Sequence, residues 1–164
     1  MKSLFRFGVL LALFGVLHGA IVSTPFTEYG YWGGWTDYYE VDGSLICGAE
    51  MRFEDYQGGG DDTAANGLRF RYCQINDWYS QTQLEFEGFW GDWKGMVMCP
   101  ENQYVGGFMV RMEENQGSDG DDTTLNGLKL LCRKFGSAAR VGKVITVYEG
   151  IWGIWNRWHL AGSR

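Results

Sequence analysis

Four aspartates come as two adjacent pairs, Asp61–Asp62 and Asp121–Asp122, each inside a glycine-rich stretch. The stretches read QGGGDDTAANGLRFRYC from Gln57 to Cys73 and QGSDGDDTTLNGLKLLC from Gln116 to Cys132. Neighbouring carboxylates suit three chemistries. They can ligate a hard cation through oxygen. They can protonate a glycosidic oxygen and stabilise an oxocarbenium ion. Together with Thr63, Asn66, Thr123 and Asn126 they can also accept hydrogen bonds from the backbone of a wide loop. The third role takes precedence, because the backbone groups of such a loop must find partners. A calcium loop of the EF-hand kind needs alternating carboxylates, a central glycine and a distal glutamate, which neither stretch has. No metal and no cofactor is therefore expected.

Eight tryptophans add a second kind of chemistry, since a flat indole face can stack on a sugar ring. Trp32 and Trp90, with the four aspartates, are the weak binding candidates. The tryptophans recur as YWGGW, FWGDW and IWGIW, at Trp32/Trp35, Trp90/Trp93 and Trp152/Trp155. Recurrence suits a scaffold role, because a catalytic residue is usually unique. Among the remaining acids, Asp37, Glu40, Glu54, Glu85, Glu87, Glu113 and Glu114, no spacing singles one out, so no catalytic residue is assigned. A nucleophilic triad would have to use His159, the one histidine outside the leader. No phosphate-cradling glycine loop precedes a helix.

The elements that would carry these loops have a period of two. Met109, Arg111 and Glu113 alternate with Phe108, Val110 and Met112, and Leu68, Phe70 and Tyr72 alternate with Arg69 and Arg71. That is the pattern of half-buried strands. VITVYEGIW, rich in β-branched and aromatic residues, reads the same way. Asn66-Gly67 and Asn126-Gly127 are expected to supply a turn before each returning strand. No window has sustained helical periodicity; the leader is the only helix candidate. The fold class is all-β, built from internal repeats of about 29–84 and 85–144 with a partial copy at 145–164. The first tryptophans of successive copies are 58 and 62 residues apart.

Residues 1–20 have the layout of a signal peptide: Lys2 and Arg6, an apolar run from Phe7 to Leu17, then Gly19 and Ala20. Eleven apolar residues are too few to span a bilayer comfortably. Residues 21–164 are expected as a single secreted, extracellular domain with no membrane partner. Without the leader the net charge of −6 becomes about −8, and no basic cluster offers a nucleic-acid surface. Cys47, Cys73, Cys99 and Cys132, an even count in an exported chain, read as a disulfide framework with three possible pairings.

The WGxW segments and the twice-written DDT-x-x-N-G-L-x-[FL]-x-C-like element resemble the vitelline membrane outer layer protein I family, from about Tyr29 to His159. The resemblance implies a β-prism of three Greek-key sheets, one per repeat. It implies Cys47–Cys73 and Cys99–Cys132, each within its own repeat. It also implies a structural component of an egg coat or secretion layer, with extracellular glycans or coat proteins as partners. The alternative is a weak glycan-active enzyme or transferase on chito-oligosaccharides. One departure stands out: after Trp152 and Trp155 there is no third DDT loop, and RWHLAGSR does not read as a returning strand. The third repeat is expected to be truncated, its prism wall incomplete, and the chain to self-associate there.

Overall fold

A computed structural model describes residues 7–8, 34–35, 39, 41–58, 63–114, 123, 125–137 and 140–161. The described chain is all-β, as the period of two implies. Strand β1 (Phe7–Gly8) pairs in parallel with β2 (Gly34–Trp35). At Phe7–Gly8 the leader is thus extended rather than helical; a short extended segment satisfies its backbone on a neighbouring one.

Two sheets carry the rest. Strands β3 (Ser44–Phe53), β4 (Ala65–Gln74) and β5 (Gln81–Glu87) form an antiparallel meander. The chain then returns to the other edge of β3 through β6 (Asp92–Trp93) and β7 (Val97–Met98). The second sheet repeats the path. Strands β8 (Gln103–Met112), β9 (Leu125–Lys134) and β10 (Lys143–Tyr148) meander, and β11 (Ile154–Trp155) and β12 (His159–Leu160) return to β8. A meander whose fourth strand lies beside its first is a Greek key. The architecture is β-prism-like, with two curled antiparallel sheets around one core.

These sheets correct the phasing of the sequence repeats. FWGDW and IWGIW do not open units; they close the first and second keys, with Trp93 opposite Arg52 and Trp155 opposite Arg111. Residues 145–160, expected as a partial third repeat, lie in the second sheet. His159–Leu160 of RWHLAGSR is a returning strand after all, paired with Phe108 and Gly107. A third Greek key is not among the described residues.

Both sheets are bulged at the same register positions. Cys47 and Gly106 are extra residues on the first strand of each key, and Asn66 and Asn126 are extra residues on the second. Bulges bend a strand and raise its twist, which lets each sheet curl around apolar side chains. Ala49, Met51, Phe53, Leu68 and Phe70 meet Phe108, Val110, Leu128 and Leu130 in one cluster, each 4% exposed or less. Asn66-Gly67 and Asn126-Gly127, expected as turns, lie inside β4 and β9 instead. The dipeptide marks a bulge here, not a hairpin.

The cysteines pair as the resemblance implies, Cys47–Cys73 and Cys99–Cys132. Their roles differ from the expectation. Cys73 lies opposite Leu45 whereas Cys132 lies opposite Val105, so Cys132 holds the place of Tyr72, not of Cys73. A one-residue offset puts the two cysteines on opposite faces of their strands. Where the first sheet has Cys47–Cys73, the second has Gly106 and Arg133, whose guanidinium donates to the Gly106 carbonyl. Cys99 continues the first sheet, its N–H donating to the Cys47 carbonyl at 2.7 Å. Its bond to Cys132 of β9 is therefore a staple between the sheets. Beside it Tyr104 donates to the Gln74 carbonyl at 3.1 Å and packs edge-on against Trp78. Closing a 33-residue loop is worth about 3.5 kcal/mol in the chain-entropy account. Replacing Cys99 and Cys132 together by alanine should lower the unfolding free energy in urea by about 3–4 kcal/mol. A loss below about 1 kcal/mol would count against the staple.

Candidate functional site

Both features singled out in the sequence collect at one end of the sheets. The wide loops leave β3 and β8 and re-enter β4 and β9, and the tryptophan turns join β5 to β6 and β10 to β11. Asp61, Asp62, Asp121, Asp122 and Trp32 lie outside the described residues, as do Asp37 and Glu40. The threonines and asparagines of the same loops are in place. They act on acids that repeat alignment alone had not paired. Glu54 accepts from the Thr63 N–H at 3.1 Å, from the Thr63 hydroxyl and from the Gln57 amide. Asn66 then donates to Thr63 Oγ1, and to the Ala64 carbonyl at 3.3 Å. In the second copy Thr123 donates to Glu113, and Asn126 donates to Thr123 Oγ1 at 2.8 Å. Asn66 and Asn126 are almost wholly buried, as is Thr123. A buried amide or hydroxyl without such partners would cost about 1–3 kcal/mol.

Each tryptophan turn is held by an arginine from the first strand of its own key. Arg52 donates to the carbonyls of Gly91 at 2.8 Å, Gly88 at 3.0 Å and Phe89 at 3.3 Å, and pairs with Glu87. Arg111 donates to those of Gly153 at 3.0 Å, Gly150 at 3.2 Å and Glu149 at 3.4 Å. The turns also need Gly91 and Gly153, both at φ +77°, where a Cβ would strike the backbone of Phe53 or of Met112. The second tryptophan of each turn packs inward on a glycine. Trp93 lies 3.2 Å from where a Cβ on Gly67 would stand, and Trp155 3.0 Å from that on Gly127. Arg69 stacks over Trp93 at 3.8 Å and Lys129 over Trp155 at 4.1 Å. The first tryptophans differ: Trp90 is 49% exposed, beside Phe89 at 68%, whereas Trp152 is half-buried against the core.

The two ends meet across the sheet boundary. The Tyr148 ring packs on Phe53 with centroids 4.5 Å apart, and its hydroxyl donates to Asp55 Oδ1 at 3.0 Å. Lys94 pairs with Asp55 Oδ2 at 2.7 Å. Burial first, then the hydrogen bond to Asp55 and its charge, pushes Tyr148 up to about 12 from its ordinary 10.0. The Lys94 hydrogen bond holds Asp55 below the usual carboxylate value. Tyr56, next in the chain, meets Trp152 of the other sheet edge-on at 6.1 Å.

Of the other candidate acids Glu114 is exposed, Glu87 pairs with Arg52, and Glu85 pairs with Arg69. Glu85 and Glu50 flank Arg69, and hydrogen bonding to Arg69 lowers the Glu85 pKa. His159 is buried and stacked on Phe108. No cluster of three or more metal-ligating side chains occurs among the described residues. What the site can do is present aromatic surface from a fixed backbone. Arg52 and Arg111 were missed in the sequence; the signal was there, since each sits one residue before the end of its first strand. Tyr56 has no counterpart in the repeat, where Asn115 follows Glu114, so alignment could not find it.

Three outcomes follow from this geometry. Asn126→Ala should lower stability by about 1–3 kcal/mol, since Thr123 and the bulge lose a buried partner. Calcium or chelator should leave its melting temperature and that of the parent unchanged. The raised Tyr148 pKa means the folded state favours the protonated phenol, so that stability is fully present below pH 10 and is lost as pH rises through about 12. Denaturation followed from pH 9.5 to about 12 should therefore show a steeper loss for the parent than for Tyr148→Phe.

The sequence profile described as Vitelline membrane outer layer protein I (VOMI) matches residues 19–75 and 80–162. The mouse protein named Vitelline membrane outer layer protein 1 homolog is 42% identical over 69 residues, which is 42% of this chain and 34% of the relative. The human protein of the same name is 36% identical over 81 residues, 49% of this chain and 40% of the relative. The aligned segments thus span well under half the length of these curated relatives.

Proposed function

The chain belongs to the vitelline membrane outer layer protein I family, and on that premise we propose that it is a secreted structural component of an egg coat or a related secretion layer. The observation that carries this reading is the fate of the loop-end carboxylates. Glu54 and Glu113 accept from the threonines that close the wide loops, and Glu85 and Glu87 are paired with arginines. These acids hold backbone in place, which suits a scaffold better than a proton-transfer site. Two disulfides in a chain with no free cysteine suit an oxidising, extracellular setting. The signal-like residues 1–20 lie almost wholly ahead of the family match, which starts at residue 19. In such a layer the neighbours are glycans and other coat proteins. The exposed Phe89–Trp90 turn, with its backbone pinned by Arg52, is the surface we assign to glycan contact.

The test uses the secreted protein and chito-oligosaccharides. Calorimetric titration should show binding that Trp90→Ala weakens by roughly fivefold, the scale of one aromatic contact. Oligosaccharide chain lengths should be unchanged after prolonged incubation. Altered lengths would overturn the scaffold reading in favour of a weak transferase. A protein retained in the cell with residues 1–20 intact would remove the extracellular assignment.

A further inference from the structure

Tyr56 is 64% exposed, yet the chain around it is anchored at every neighbouring residue. Glu54 is bonded to Thr63, Asp55 to Lys94 and Tyr148, and Gln57 to Glu54. An exposed ring on a backbone this constrained loses little freedom when something stacks on it, which is the property of a preorganised contact. Its neighbour Trp152 comes from the other sheet. That indole is half-buried and packs on the common core, the Trp152 backbone N–H donates to Asn126 Oδ1 at 3.4 Å, and its turn is the one clamped by Arg111. The rings stand 66° apart, so the tyrosine face forms a shelf and the indole a back wall. Carboxylates stand close by in the chain: Asp55 precedes Tyr56, and Glu149 opens the turn of Trp152 with its side chain largely exposed.

We propose that the Tyr56–Trp152 corner is a subsite for a neutral, β-linked pyranose, created only when the two sheets dock. This rests on the glycan-contact reading above and adds a second, composite contact to it. The chemistry selects the sugar. A pyranose whose substituents are all equatorial presents a flat C–H face to an aromatic shelf, whereas an axial hydroxyl interrupts that face. Hydroxyls at the ring edge are donors, and carboxylates such as Asp55 and Glu149 are acceptors for them. Asp55 and Glu149 are themselves paired with Lys94 and Lys129, and it is the net charge of −6 of the whole chain that disfavours sialylated or sulfated glycans.

The experiment titrates chitotetraose into the intact protein, its Tyr56→Ala and Tyr56→Phe variants, and Trp90→Ala. Heteronuclear NMR follows the indole N–H signals, with Trp152 assigned from Trp152→Phe. Tyr56→Ala should weaken binding about fivefold to tenfold with an unchanged melting temperature, Tyr56→Phe should restore it, and the Trp152 indole signal should move on binding. Binding unaltered in Tyr56→Ala but weakened in Trp90→Ala would overturn the corner and leave the glycan reading standing. A preference for a sialylated or α-mannosyl oligosaccharide would overturn the assigned sugar class. If chitotetraose fails to bind the parent protein at millimolar concentration, both the corner and the glycan reading fall.

Discussion

Closure of each Greek key rests on one guanidinium. A strand that returns beside the first strand must turn sharply at the end of the meander, and the turn leaves carbonyls pointing inward. Arg52 and Arg111 reach across from the first strand and gather three of them each. Hydrogen bonds to a charged donor are worth about 1.5–3 kcal/mol apiece, more than a neutral pair. Everything local follows from that clamp. It fixes where Gly91 and Gly153 cross the strand end, which sends Trp93 and Trp155 down onto Gly67 and Gly127 and leaves Trp90 on the outside. Lysine, a point charge without a planar fork, could not hold three carbonyls in that spread.

Much of this was readable before any coordinates, and the misreadings have a common cause. Alternation along Met109–Met112 and Leu68–Tyr72 identified strands and their buried faces, because period two is a property of the chain itself. Asn66-Gly67 misled because a hairpin turn and a bulge want the same residues, a small one beside a polar one, and only the partner strand tells them apart. The closing cysteines misled in the same way. Cys73 and Cys132 end matching phrases, yet they differ by one register position, and one position exchanges the two faces of a strand. Trp90/Trp93 and Trp152/Trp155 fall in the second and third copies when the sequence is divided by its repeats, whereas hydrogen bonding assigns Trp93 and Trp155 to the sheet that came before. At the loop end, the threonines and asparagines were legible as hydrogen-bonding residues, but their acceptors, Glu54 and Glu113, come from the far side of the loop and no spacing links them.

The acids also explain how an acidic chain of this family can be rigid. A carboxylate that accepts from a threonine hydroxyl and a backbone N–H is a fastening, and its neighbours are shaped around its charge. Both copies use the threonine-to-glutamate bond, while these contacts between the sheets have no repeat counterpart: Tyr148 with Asp55 and Lys94, Tyr56 with Trp152, Tyr104 with Gln74. Duplication built the sheets, and single, unrepeated residues join them.

The Cys99–Cys132 bond has a mechanical meaning. A layer that swells or is stretched pulls its proteins along their strands, and apolar packing between two sheets yields readily under such a load because its contacts are short-ranged. Here tension entering the first sheet through β7 passes into β9 through a covalent link, so the interface of Phe53, Phe108 and Leu130 is spared from shear. The 33-residue span between those cysteines cannot be drawn out while the bond is intact.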